Sequence, residues 1–115
     1  SSAASDVYKR QEQHFAIFSA IAGSGPAFVL KFIDALTQAG INNGLDGESA
    51  AAIAASTVAG TTETLQKSNS DAVTLMNNVA SPGGSTRAGL DNFEQNDFDT
   101  IVNSAINATV NHKHT

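Results

Sequence analysis

The sequence has no cysteine and no tryptophan, one tyrosine, one methionine and only two prolines. Without cysteine there is no disulfide framework, no thiolate metal site and no cysteine nucleophile. Basic residues are scarce. Six Lys and Arg stand against eleven Asp and Glu, a formal net charge of −5 at pH 7. That excludes nucleic acid as the main partner, because phosphate binding needs a clustered basic surface. No run of about 18 apolar residues occurs, so no membrane span is expected. No charged-then-apolar leader with a small-residue cleavage site opens the chain, and a cytoplasmic location is the expectation. Strand-type alternation is absent as well. The 115 residues allow one domain, whereas a complete two-domain nucleotide-dependent enzyme needs well over about 200.

What is present is small and apolar. Hydrophobic residues make up 41%, enough for a folded core and too many for a disordered chain. The opening eleven residues, SSAASDVYKRQ, show neither helical nor strand periodicity. They resemble the in-frame translation of the adapter used in transposase-based sequencing libraries, and read as a cloning or assembly scar they fall outside the domain; a natural Ser/Ala-rich disordered leader is the alternative. The domain is then residues 12–115. Removing Asp6, Lys9 and Arg10 leaves four basic against ten acidic residues, a net charge of −6.

From Glu12 onward the pattern is a series of helices. Residues 12–21 carry Phe15, Phe18 and Ile21 at spacings of three. Gly23-Ser24-Gly25-Pro26 is expected to break that helix, with Pro26 in the first turn of the next. The second helix has a stripe of Val29, Phe32, Ile33 and Leu36, the i, i+3, i+4, i+7 pattern of a core face. Gly40 and Gly44 end it. Residues 48–65 are dominated by Ala50, Ala51, Ala52, Ala54, Ala55 and Ala59, which favour helix and let a neighbouring helix approach closely. Lys67-Ser68-Asn69-Ser70 reads as a loop, with Ser70 capping a helix over residues 71–79. Ser81-Pro82-Gly83-Gly84 is a second break. Residues 87–94 form a short helix with Leu90 and Phe93 inward. Asn96 caps the last helix, whose apolar face is Phe98, Ile101, Val102, Ala105 and Ile106. The fold class is all-α, a bundle of about six helices. With six Phe and a single Tyr, a monomeric core would be thin, so a second chain is expected to supply part of the burial.

Two glycine-rich turns, Gly23-Ser24-Gly25-Pro26-Ala27 and Ser81-Pro82-Gly83-Gly84-Ser85-Thr86, each precede a helix. Glycine lets backbone approach a ligand, and the N–H groups at a helix N-terminus favour an anion. Ser85 and Thr86 add hydroxyls, so the second turn is a candidate cradle for a carboxylate or phosphate. An ordinary capped turn is the plainer alternative. The first turn lacks the third glycine and the preceding strand of a dinucleotide fingerprint. Arg87 in a first helical turn opposes the helix dipole. A nearby anion would rationalise it, and a solvated surface arginine is the alternative. His112 and His114 form a polar tail, and His14 a surface helix position. Asp91, Glu94, Asp97 and Asp99 fall on solvated faces and caps. No catalytic triad, carboxylate pair or metal-ligand set is present.

Gly23-Ser24-Gly25-Pro26-Ala27-Phe28, the run Asp34-Ala35-Leu36 with Gly40 and Gly44-Leu45, and Val79-Ala80-Ser81-Pro82-Gly83-Gly84-Ser85-Thr86 together resemble the C-terminal domain of pyrroline-5-carboxylate reductases. The resemblance runs from Glu12 to about Asn111. It implies reduction of 1-pyrroline-5-carboxylate to L-proline with NADPH or NADH, the last step of proline synthesis. It also implies an N-terminal Rossmann domain for the nucleotide, absent from this chain, and a helical domain that makes an interlocked homodimer, with assembly to a decamer in many members. By the same resemblance Ser85 and Thr86 hold the substrate carboxylate, Ser81, Gly83 and Gly84 shape their loop, and Thr86 is a candidate proton source for the ring nitrogen. Asn78 matches a position contacting the nicotinamide nucleotide, and Glu12 an acidic position near the substrate ring. Arg87 stands where an apolar residue is expected. Alone, the chain is expected to be inactive. The alternative is a non-catalytic helical dimerisation module.

Overall fold

A computed structural model describes residues 2–113, with side chains from residue 3. Among the described residues there is no strand, as expected for an all-α chain. The helices are α1 (Ser2–Ser19), α2 (Gly25–Asn42), α3 (Gly47–Lys67), α4 (Ala72–Val79), α5 (Ser85–Gln95) and α6 (Phe98–Val110).

The expected break at Gly23-Ser24-Gly25-Pro26 does not occur. One π-helical turn, Ala20–Ser24, joins α1 to α2 without interruption. Gly25 keeps right-handed helical angles (φ −51, ψ −41), and its N–H donates to the Ala20 carbonyl, five residues back. The wider turn eases the carbonyl ladder away from the Pro26 ring, which has no N–H to join it. Six helical segments thus make five separate helices. Residues 1–11, which lack apolar periodicity, nonetheless enter α1 from Ser2 on, and residues 3–11 are exposed.

The joined helix Ala3–Asn42 holds an 18-residue window of mean hydropathy 1.6, only 6% buried. By length and composition alone this helix is long and apolar enough to cross a membrane, a criterion that one apolar helix near the N-terminus meets without spanning one. A search for an unbroken apolar run misses it because Ser19, Gly23, Ser24, Gly25, Pro26 and Lys31 interrupt the pattern. A helix covered by another protein chain meets the same criterion.

The chain divides into two compact units. In the first, α6 packs against the π turn and against α1, and Ala20 is buried. Asp97, rather than Asn96, occupies the N-cap of α6, in the left-handed region (φ 56, ψ 45) and without a side-chain cap bond. Asn96 instead closes α5, its N–H and its Nδ2 both donating to the Asn92 carbonyl.

The second unit, Leu30–Asn96, holds the rest of α2 with α3, α4 and α5. The end of α2 is a Schellman motif. The Leu45 N–H donates to the Gly40 carbonyl and the Gly44 N–H to the Ile41 carbonyl, both at 3.0 Å. Gly44 supplies the positive φ, +109. A Cβ on Gly40 would lie 3.2 Å from the Ala50 Cβ and 3.3 Å from the Leu45 Cδ1, so this glycine lets the start of α3 close onto α2. Asp46 caps α3 by accepting from the Ser49 N–H at 2.9 Å.

Only alanines are fully buried among the described residues: Ala20, Ala50, Ala54 and Ala80. The expected stripe on α2 is not a core face within the chain. Val29, Phe32 and Leu36 are exposed and Ile33 half-buried. Phe15 and Phe18 are 72% and 68% exposed. On α5, Leu90 is half-buried and Phe93 exposed. The amphipathic pattern is intact, but the surface that would cover it is not supplied by this chain.

Candidate functional site

The glycine-rich turn between α4 and α5 lies wholly within the second unit. Its construction starts at the N-terminus of α4. Asp71, not Ser70, is the N-cap, accepting from the Thr74 N–H at 2.8 Å. Ser70 turns its own N–H to the Ser68 hydroxyl, which leaves Asp71 at the helix entrance. Hydrogen bonds from Thr74, side chain first and then backbone, hold the Asp71 carboxyl below the ordinary carboxylate value. Asp46 is lowered in the same way, chiefly by the Ser49 N–H.

α4 ends at Val79, and Ala80, 1% exposed, closes it with an N–H donated to the Met76 carbonyl. The chain then turns. The Gly84 N–H donates to the Ser81 carbonyl at 3.1 Å, and Gly83 between them has φ +74. Proline second and a positive-φ glycine third is the pattern of a type II β-turn. Gly84 has little room: a Cβ there would have to displace the Ser81 Oγ, 2.8 Å away, and would crowd the Ser81 carbonyl oxygen at 3.3 Å. Gly83 and Gly84 thus set the local geometry of the turn for different physical reasons.

Gly84 is the N-cap of α5 and offers no side-chain cap. The first α-helical bond is Ala88 N–H to Gly84 carbonyl, at 3.1 Å. The amides of Ser85, Thr86 and Arg87 precede it and are left to an outside acceptor. Ser85 and Thr86 are exposed, and their hydroxyls have no hydrogen-bond partner among the described residues. Open hydroxyls and amides at the positive end of a helix are groups that favour an anion.

Arg87 is half-buried, and its guanidinium is bonded to α4 rather than free in solvent. Its Nη2 donates to the Asn77 Oδ1 and to the Ala80 carbonyl, each at 3.0 Å. The helix dipole disfavours a cation at the start of α5, but the guanidinium reaches the C-terminal end of α4, where a cation is favoured. The sequence flagged the misfit of Arg87 and not its partner; Asn77 carried no signal.

Asn78 is exposed on the last turn of α4, in the same unit as the turn. Glu12 is exposed on α1 and belongs to the other unit. Among the described residues no group of three or more His, Asp or Glu is placed to hold a metal. His14 and His112 are exposed; His114 lies outside the described residues. The first glycine-rich segment sits inside a continuous helix, so it is no nucleotide loop.

Fold and site together define an all-helical domain, poor in its own core, that presents an anion-receptive turn at a helix start. The profile of the pyrroline-5-carboxylate reductase dimerisation family matches residues 12–115. A pyrroline-5-carboxylate reductase of Aquifex aeolicus is 42% identical over 103 residues, 90% of this chain and 39% of that protein. Pyrroline-5-carboxylate reductase 2 of Bacillus subtilis is 38% identical over 99 residues, 86% of this chain and 36% of the relative. Among solved structures, a Plasmodium falciparum pyrroline carboxylate reductase with NADP bound superposes with TM-score 0.82 at 38% identity, covering 86% of this chain and 40% of that one. A Streptococcus pyogenes 1-pyrroline-5-carboxylate reductase gives 0.83 at 37% identity, covering 86% and 38%. The chain belongs to the pyrroline-5-carboxylate reductase dimerisation family, and it spans roughly two fifths of the length of these relatives.

Proposed function

We propose that the chain is the dimerising and substrate-gripping part of an enzyme that reduces 1-pyrroline-5-carboxylate to L-proline with NADPH or NADH. The observation that carries this is the Ser81–Thr86 turn: a type II bend that leaves the Ser85 and Thr86 amides and hydroxyls open at the start of α5. The substrate carboxylate is the anion of matching size and charge. Gripping it fixes the ring, so that the C=N bond is presented in one orientation, and orientation is a large share of catalysis when two reactants must meet. The cofactor supplies the hydride. The described residues do not make a dinucleotide site, having no strand–turn–helix, and of them only Asn78 is assigned to touch the nucleotide. In this reading the remainder of such a site belongs to a Rossmann domain outside the residues described. Thr86 is the residue assigned to the ring nitrogen, and Glu12 to the substrate's ring end. Residues 1–11 lie outside this function.

Homodimerisation fits the exposed faces. Val29, Leu30, Ile53 and Ile101 are open. On α3 the hydroxyls of Thr61, Thr62 and Thr64 donate back to the carbonyls of Thr57, Val58 and Gly60. Such threonines enter an interface without leaving an unsatisfied donor. Dimers assembling to a decamer, and a cytoplasmic setting, complete the reading.

The test is to join a family nucleotide-binding domain ahead of Glu12 and follow proline formation. We expect the chain alone to be inactive and the joined protein to be active. Stable dimers of the joined protein without proline formation would favour a non-catalytic dimerisation module.

A further inference from the structure

The α4–α5 corner contains one long-range side-chain bridge that the carboxylate reading leaves unused. From the first turn of α5, the Arg87 Nη2 binds the Asn77 side chain and the Ala80 carbonyl on α4. Asn77 and Ala80 flank Asn78 and lead directly into Ser81. One guanidinium nitrogen therefore spans the turn and closes it into a loop, with Ser81 and Gly84 joined inside that loop by their own hydrogen bond. The Arg87 amide belongs to the open end of α5 while its charge is drawn to the end of α4.

We propose that Arg87 is a positioning residue for the carboxylate-binding turn, acting by tying the start of α5 to Asn77 and Ala80 rather than by touching the anion. The geometry gives the reason. A type II bend built on two glycines is locally permissive, and the open amides of Ser85 and Thr86 keep one direction relative to the end of α4 and Asn78 only if α5 holds its angle to α4. The planar guanidinium directs the two N–H groups of Nη2 apart, one to the Asn77 side chain and one to the Ala80 carbonyl, and so fixes direction as well as distance. The bridge also sets the separation between Asn78 and Thr86, the positions assigned to nucleotide and substrate. The proposal rests on the carboxylate reading of the turn.

The experiment is titration of the isotopically labelled chain with L-proline, following the backbone amide resonances of Ser85 and Thr86. The parent is expected to show saturable shifts at both. Arg87→Ala and Asn77→Ala are each expected to weaken the apparent Kd by about fivefold, the loss of a charge-assisted hydrogen bond at a partly exposed site. The double variant is expected to be no weaker than either single one, the mark of one shared interaction. Helix content by circular dichroism is expected to be equal in all four proteins. In the full-length reductase carrying this domain, Arg87→Ala should raise KM and leave kcat at saturating substrate near the parent value, a split that general loss of fold does not produce. Absence of any response in the parent overturns the carboxylate reading, and the Arg87 role with it. A parent response with Arg87→Ala unchanged overturns the positioning role alone. Full rescue of Arg87→Ala by Arg87→Lys, which keeps the charge on a shorter side chain that does not reproduce the bonds to Asn77 and Ala80, shows a direct charge contact with the anion, which also overturns it.

Discussion

Three residues show how local chemistry sets the site. Gly83 is needed for its dihedral, φ +74, and Gly84 for its missing Cβ, which the Ser81 hydroxyl would meet at 2.8 Å. Replacing Gly84 by Ala should shift the start of α5, and KM for the imine in the joined enzyme should rise on the order of tenfold, since small misplacements of a gripping group are costly. Asp71 belongs to the same corner through α4. Its folded carboxyl titrates below the ordinary 3.8, so its contribution is complete above that value and disappears as pH falls through the lower folded one. Asp71→Ala should therefore lower Tm at pH 7, and the gap from the parent should close as pH drops below about 4; a gap independent of pH would contradict the capping role. Much of this was legible in the sequence. Ser81-Pro82-Gly83-Gly84 announced its turn, because proline and glycine each restrict or extend φ in a way no other residue does. The Arg87 bridge was not legible, because a contact ten residues apart depends on how two helices meet and no short-range pattern encodes it.

At the level of elements, helix existence followed from periodicity while helix ends depended on competition between neighbours. Ser70 and Asn96 are both good capping types, yet Asp71 takes one entrance and Asn96 is consumed at the end of α5. The Gly23–Pro26 segment misled for a related reason. Glycine and proline end a helix only when the carbonyl ladder cannot adjust, and here a single π turn adjusts it. Two glycine substitutions separate packing from propensity. Gly89 in α5 has open space around it, so Gly89→Ala should stabilise by roughly 0.5–1 kcal/mol. Gly40→Ala carries the same helix gain but crowds Ala50 and Leu45, and it should bring no gain or a loss. Chemical denaturation of the two variants checks both signs. Asp97 holds left-handed angles without a cap bond, so Asp97→Gly should stabilise α6 by about 0.5–1 kcal/mol.

For the molecule as a whole, the decisive fact is that among the described residues only four alanines are buried while most of the large apolar residues stay open. The sequence hinted at this through its Ala-rich α3 and few aromatics, but it could not show which stripes lack a cover, since a stripe reads the same whether its partner is in the same chain or another. Ile53 is exposed one residue from buried Ala54. Ile53→Asp should place a charge in the dimer face and shift the solution mass by light scattering from twice 11.8 kDa toward the monomer. A parent that is monomeric at micromolar concentration would contradict the dimer. The carboxylate grip is the central claim, and the most direct measurement is the initial rate at limiting 1-pyrroline-5-carboxylate for Thr86→Ala, in the chain joined to a nucleotide-binding domain. A rate well below that of the parent is predicted; a rate equal to the parent's would contradict the account.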